Sequence, residues 1–126
     1  MSSDKTLADG VVSRLVPLGP VSARRMFGGF GIYLDGAMFG LIAYDTLYFR
    51  SDERNIDVYR GAGSAPFTYN GKGKPIEMPY WRVLDDVYAD PETLLEWAES
   101  ALAAARRAKA KKKPQKPRPS KRTPKT

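Results

Sequence analysis

The chain has 126 residues, and its 21 Lys and Arg against 14 Asp and Glu give a formal net charge of +7. Cysteine and histidine are both absent, which excludes disulfides, thiolate chemistry and the Ser-His and Cys-His nucleophile systems, and leaves a zinc or iron site only carboxylate ligands. The length supports one domain. No apolar run has membrane-spanning length and no signal-peptide pattern is present, so we expect a cytoplasmic protein.

The charge is unevenly distributed along the chain. Residues 106–126 contain 11 basic residues and no acidic one, which leaves 10 basic and 14 acidic residues in 1–105. We predict a mildly acidic folded domain over 1–105, followed by a disordered basic tail over 106–126, because the tail has no large apolar residue to offset its ordering entropy.

Lysine- and proline-rich arms bind phosphate backbones through counterion release, without reading sequence. The tail is therefore a candidate for nonspecific contacts with DNA or RNA, and a merely solubilising extension is the alternative. Its candidate nucleic-acid residues are Arg106, Arg107, Lys109, Lys111, Lys112, Lys113, Lys116, Arg118, Lys121, Arg122 and Lys125.

The first predicted elements are a helix and a strand. Leu7, Val11 and Leu15 recur at four-residue spacing and Pro17 follows, which predicts an amphipathic helix over 4–16. A first strand over 22–27 should end at Gly28-Gly29.

The densest pattern is a hairpin centred on Asp35-Gly36, a pair that accepts the positive φ angles of a two-residue turn. Symmetric pairing across the turn places Leu34 opposite Ala37 and Gly31 opposite Gly40, which leaves a shallow gap in the side-chain cover. One face should then carry Phe30, Ile32, Leu34, Ala37, Phe39, Leu41 and Ala43, and the other Tyr33, Met38, Ile42 and Tyr44.

Further elements follow in the second half. We predict a strand over 47–50 of uncertain register, a helix over 53–60, a strand over 67–69, and a strand over 76–84 that is broken at Pro79, which belongs near an edge or a bulge. Asp90-Pro91-Glu92 starts a final helix with its buried stripe ending at Ala105. The fold class is α+β, an antiparallel sheet built from hairpins with N-terminal and C-terminal helices packed on it.

No arrangement of residues predicts catalysis, a cofactor or a metal. The glycines beside Arg24 and Arg25 could cradle an anion, but a strand follows where a phosphate-binding loop needs a helix, so structural glycines are favoured. The carboxylates are scattered, and the adjacent Asp85 and Asp86 should point apart. The aromatic residues of the strands could stack on bases, although half-buried sheet surface is the more common role.

The hairpin region resembles the N-terminal domain of the TfoX/Sxy family of bacterial competence regulators. The resemblance spans about Leu7 to Ala105 and rests on Arg25-Met26-Phe27-Gly28-Gly29, Gly31-Ile32-Tyr33, Asp35-Gly36, Met38-Phe39-Gly40-Leu41-Ile42, Leu47-Tyr48-Phe49, Pro66-Phe67-Thr68-Tyr69, Lys72-Gly73-Lys74-Pro75 and Tyr80-Trp81-Arg82-Val83. Full-length members carry a second, helical domain, whose place the basic tail takes here, so we expect a standalone N-terminal domain.

The resemblance implies an α+β fold and a non-enzymatic regulatory role, since the family promotes competence genes together with the cyclic-AMP receptor protein. A transcription regulator or an RNA polymerase-associated protein is then the expected partner, and a homodimer is one of the open assembly states. The motif residues that could form a partner or ligand surface are Arg24, Arg25, Met26, Phe27, Gly28, Gly29, Gly31, Tyr33 and Gly40. The alternative function is a small-ligand or anion-binding protein, or an unrecognised enzyme, that uses the glycine-rich site near Arg24 and Arg25.

Overall fold

The structure is a computed structural model that describes residues 3–26, 29–70 and 73–112. A 3-10 turn, Val16–Leu18, follows the first helix. The helices and strands are α1 Ser3–Arg14, β1 Ser22–Met26, β2 Gly29–Leu34, β3 Ala37–Ala43, β4 Thr46–Arg50, α2 Ile56–Gly61, β5 Pro66–Asn70, β6 Pro75–Arg82, α3 Asp85–Ala89 and α4 Pro91–Lys112.

The six strands form one antiparallel sheet in the order β1-β2-β3-β4-β6-β5. Both α1 and α4 pack on it, and their buried residues join those of the central strands in a single hydrophobic core. The predicted α+β fold class is therefore confirmed. No helix of the described ranges is both long and apolar enough to cross a membrane.

The hairpin turn forms where the sequence predicts it. Asp35 and Gly36 have φ angles of 52° and 79°, and Leu34 pairs with Ala37. Beyond Tyr33 the register shifts, so that Ile32 faces Gly40 and Phe39 is the extra residue of β3. The predicted pairing of Gly31 with Gly40 is therefore wrong, because one inserted residue changes the register of every later pair.

The extra residue Phe39 is a β-bulge, and it reverses which side chains of residues 41–43 face the core. Ile42 pairs with Phe30 and is completely buried in the core, while Leu41 and Ala43 are only partly buried on the opposite face. The prediction that Leu41 and Ala43 lie on the core face, with Ile42 on the other, is wrong because side chains alternate with a period of two and the bulge shifts that period by one.

The β3–β4 connection is a second two-residue turn. Tyr44 and Asp45 both have positive φ angles, 52° and 62°, and Ala43 pairs with Thr46 across them. The register that the sequence left open is thereby fixed, and β4 starts one residue earlier than predicted.

Several other boundaries differ from the predictions. The first helix ends at Arg14 rather than at residue 16, and α2 begins at Ile56 because residues 53–55 form a turn. In that turn Asp52 Oδ1 accepts a hydrogen bond from Arg54 N. The short helix α3 was not predicted, and β5 is longer than expected at both ends.

Strand β6 is continuous through Pro79, contrary to the predicted break, and it lies between β4 and β5 rather than at an edge. Its register against β5 shifts between Pro66 and Thr68, so the proline sits beside a bulge, the other environment that the sequence allows. Ser51 N donates a hydrogen bond to the carbonyl of Pro79 at 2.9 Å.

Helix α4 runs to Lys112, seven residues beyond the predicted end at Ala105. Residues 106–112, predicted to belong to a disordered tail, are thus helical. Alanine, lysine and arginine are all good helix formers, and both arginines of this segment, Arg106 and Arg107, contact carboxylates of the folded part. Residues 113–126, the remainder of the predicted tail, lie outside the described residues.

Candidate functional site

The described helices cover one face of the sheet and leave the other uncovered. The four described α-helices contribute Val11, Tyr59, Val87 and Leu94 to the same core, so they lie on one side of the sheet. The opposite side, here called the open face, presents Arg24, Met26, Tyr33, Met38, Leu41, Tyr48, Phe67 and Met78.

A groove of about 440 Å³ runs across the open face. Its side chains are mostly apolar, and we call it the methionine groove. The residues that line it include Met26, Gly29, Met38, Leu41, Ala43, Tyr44, Phe67 and Met78. Three of the four methionines in the chain therefore lie on one surface, and methionine side chains adapt easily to differently shaped apolar partners.

Aromatic rings form one wall of the methionine groove. The Phe67 ring stands edge-on to Tyr48 with centroids 5.0 Å apart and lies nearly parallel to Tyr44 with centroids 6.4 Å apart. Tyr44 is 84% exposed and has a φ of 52°. A bulky residue in the left-handed region costs about 1 kcal/mol or more, and so exposed a ring recovers little of that cost by burial.

Two arginines lie on the open face near residues of the groove: Arg24 is two positions before Met26 in β1, and Arg50 pairs with Tyr80, two positions after Met78 in β6. The Arg24 guanidinium lies 5.0 Å from the Tyr33 ring centroid, and the Arg50 guanidinium lies 5.5 Å from that of Tyr80. The Tyr80 hydroxyl donates a hydrogen bond to the Met38 carbonyl. Burial raises the pKa of Tyr80. Within the described residues, Arg50 Nε is buried without a hydrogen-bond partner, and Arg24 takes part in none of the ion pairs.

The glycine-rich segment does not form the shallow gap that the sequence predicts. A Cβ built on Gly31 would lie 2.8 Å from Met26 Sδ and from Tyr33 Cε1, and one on Gly40 would lie 3.0 Å from Ile32 Cβ. One on Gly29 would overlap the Ile42 carbonyl oxygen. Glycine is required at these positions because neighbouring strands or side chains approach the backbone closely and occupy the space that a Cβ atom would need.

The structure also separates the two arginines of the predicted anion site. Arg24 is on the open face, while Arg25 lies over the Phe30 ring at 5.2 Å, on the opposite side of β1. The two guanidinium groups therefore do not converge on one ligand. Phe27 and Gly28, which belong to the same predicted motif, lie outside the described residues.

The basic end of α4 is fixed to the domain by two carboxylates. Arg107 Nε and NH2 donate to the two oxygens of Asp52 at 2.6 Å and 3.0 Å, and Arg106 pairs with Asp35 at 3.5 Å. The hydrogen bond from Arg107 lowers the pKa of Asp52, and that same bond raises the pKa of Arg107. Two of the eleven predicted nucleic-acid residues are thus engaged within the fold.

The other predicted nucleic-acid residues divide into two groups. Lys109 is exposed on α4 near the β2–β3 turn, and the backbones of Lys111 and Lys112 complete the helix. The remaining six lie outside the described residues: Lys113, Lys116, Arg118, Lys121, Arg122 and Lys125. Within the described part of the chain, no three Asp or Glu side chains cluster as a metal ion would require.

Sequence reasoning missed the methionine groove because the bulge is what places Leu41 and Ala43 on the open face. Gly40 is the signal that could have suggested it, since an isolated glycine within a strand often marks a bulge. The strain at Tyr44 had no such signal, because tyrosine rarely occupies a primed turn.

Comparison with known proteins agrees with this fold. The TfoX N-terminal domain model matches residues 13–105. Protein Sxy of Escherichia coli strain K12 is 24% identical over 96 residues, which cover 76% of this chain and 46% of Sxy. The chain thus matches about half the length of that curated relative. It belongs to the TfoX N-terminal domain family, as the sequence resemblance predicts.

Proposed function

We propose that this chain is a non-enzymatic regulatory adaptor that acts in the cytoplasm: its folded part binds a partner protein and its basic segment binds nucleic acid. The observation that carries the proposal is the separation of two unlike surfaces. The open face is apolar and the described helices do not cover it. The excess of positive charge is carried by residues 106–126, of which 106–112 form the end of α4.

Membership of the TfoX N-terminal domain family supports the regulatory part of the proposal. The partner that this role favours is a transcription regulator or a protein associated with RNA polymerase. A non-enzymatic role is supported by the scatter of carboxylates over the described residues and by the lack of histidine and cysteine in the sequence.

The nucleic-acid part of the proposal rests on the charge of the segment after Ala105. Arg106 and Arg107 already pair with Asp35 and Asp52, so the binding residues proposed here are the nine basic residues from Lys109 onward among the eleven of this segment. A contact with roughly five phosphates gives a log-log salt slope near −4 to −5, because each neutralised phosphate contributes about −0.9.

The test is a salt titration of binding to two unrelated DNA duplexes. The full chain is compared with a chain that ends at Lys112 and with a full-length variant in which the six basic residues of 113–126 are glutamine. We expect the full chain to bind both duplexes equally and with the steep slope, and both altered chains to lose most of the affinity. Equal affinity of all three chains would place nucleic-acid binding on the folded domain and contradict this assignment.

The alternative function, a small-ligand or anion site beside Arg24 and Arg25, gains no support from the geometry. The two arginines lie on opposite sides of β1, and the space beside Gly31 is occupied by Met26 and Tyr33.

A further inference from the structure

We infer that the methionine groove binds a segment of another protein in which apolar side chains stand next to carboxylates. This inference rests on the proposed function and identifies the surface and the partner chemistry. It is carried by three features of the open face: its apolar lining, the strained and exposed Tyr44, and the cationic residues at its margin.

The lining is unusual for a solvent-facing side of a sheet. An antiparallel sheet with one wet face normally alternates apolar and polar residues. Here the residues opposite the core include Met26, Met38, Leu41, Phe67 and Met78. These half-buried side chains leave a contiguous apolar surface that a partner can cover, and unbranched methionines can fit partners of different shape.

Tyr44 points to the same use. Asparagine or glycine would relieve the positive φ at this turn position, yet a tyrosine is present with 84% of its surface exposed. Within the domain, its ring contact is with Phe67 at 6.4 Å. The side chain therefore extends the wall of the groove outward, where a bound segment can cover the ring and recover the cost of the strained backbone.

Charge decides among the candidate occupants. Arg24 lies at one margin of the groove with no ion-pair partner among the described residues, and Arg50 lies beyond Met38, over the Tyr80 ring. Carboxylates on the bound segment would pair with this margin. A second copy, docked face to face, would bring like charges together. Residues 113–126 of the chain itself do not fit the groove, because they are basic and contain no large apolar residue.

The chain offers an internal reporter for binding, since three of its four methionines line the groove and the fourth is Met1. The experiment starts with selection of short random peptides on the full chain, in the presence of excess duplex DNA that occupies the basic segment. Selected peptides are then titrated into the full chain labelled at the methionine methyl groups, and the methyl signals are followed by NMR.

We expect the selected peptides to combine apolar and acidic residues and to shift the methyl signals of Met26, Met38 and Met78. Replacement of their acids by glutamine should weaken binding by roughly tenfold. Tyr44→Asn should weaken it by a similar factor while the melting temperature stays constant or rises, which a merely structural tyrosine would not produce. Val58→Asn, which removes an exposed apolar side chain from α2 on the other side of the sheet, is the matched control and should bind like wild type.

Selected peptides that leave the three methyl signals unchanged, or that bind equally well without their acids, would overturn the inference. Shifts of these signals by single-stranded DNA, with none by any peptide, would overturn it in favour of base stacking on the open face. Tail-dependent duplex binding is measured separately, so these outcomes would reject the groove assignment and leave the nucleic-acid part of the proposed function standing.

Discussion

Asp52 joins parts of the fold that are far apart in sequence. Its carboxylate accepts two hydrogen bonds from Arg107 in α4 and one from the backbone of Arg54. Next to it, the buried Asn55 side chain donates to the Arg50 carbonyl and to Ser100 Oγ. The loop after β4 is thereby fixed to α4, and the basic end of that helix keeps a defined position on the domain.

Removing the charge of Asp52 should cost stability in a pH-dependent way. Asp52→Asn keeps an oxygen for Arg54 N and loses the ion pair, so we expect the free energy of unfolding to fall by about 1 kcal/mol at neutral pH. Because folding lowers the pKa of Asp52 below its usual 3.8, its contribution is complete above that value and is lost as the pH falls through the lower folded-state pKa. The gap between wild type and variant should therefore close only in strong acid, as measured by denaturant titration across pH.

The control for this experiment is Asp57→Asn. Asp57 pairs with Arg60 at 3.7 Å, but its side chain is 90% exposed, so its loss should change stability very little. An Asp52→Asn variant that unfolds like wild type at neutral pH would show that the Arg107 contact does not hold the end of α4.

Gly36 is the residue on which the first hairpin depends. Its φ of 79° is one that a β-branched residue resists, so Gly36→Val should destabilise the domain by about 1 to 3 kcal/mol. Gly61→Ala is the control, because no atom lies within 4 Å of a Cβ at that position and its φ is not positive. Thermal melting of the two variants distinguishes backbone strain from a general effect of replacing glycine, and a Gly36→Val variant that melts like wild type would contradict the turn geometry.

At the scale of elements, short sequence motifs predicted the turns and helix starts that depend only on neighbouring residues. Asp35-Gly36 fixed a turn and Asp90-Pro91 fixed a helix start, since each acts through its own backbone. The β3 bulge and the length of α4 depend on contacts across the fold. The sequence of 106–112 predicts a repelling polycation, whereas in the structure Arg107 meets Asp52, 55 residues away in sequence.

The methionine groove was predictable only in part. Met26 and Tyr33 belong to the motif that predicts a partner surface, but the symmetric hairpin register predicts Leu41 on the core face. Phe67 and Tyr44 meet only because β6 pairs with both β4 and β5, which brings the distant β5 beside the β3–β4 turn. Strand order of this kind is not encoded in residue spacing.

The length of α4 gives a test at this scale. A chain that ends at residue 105 lacks the Arg107 bond to Asp52, so we expect it to be about 1 kcal/mol less stable than a chain that ends at Lys112. Arg107→Gln in the full chain should reproduce most of this loss, since the more exposed Arg106 pair contributes little. Equal stability of the two shortened chains in denaturant titration would show that the helical extension is not anchored.

For the whole molecule, the two surfaces have opposite physical character. In the proposed function, the open face would bind mainly by burying apolar area, which depends weakly on salt, whereas the basic segment would bind through charge, which salt weakens strongly. The domain before residue 106 has more acidic than basic residues, so it should not draw duplex DNA toward the sheet. The proposed adaptor would then be able to bind both partners at once.

The most direct test of this account is a duplex DNA titration of the full chain with methyl-labelled methionine, followed by NMR and by fluorescence anisotropy of the DNA. We predict that the anisotropy reaches saturation while the methyl signals of Met26, Met38 and Met78 keep their positions, because the duplex contacts only the basic segment. Shifts of these three signals that follow the same binding curve as the anisotropy would contradict the account, since they would show that nucleic acid occupies the methionine groove itself.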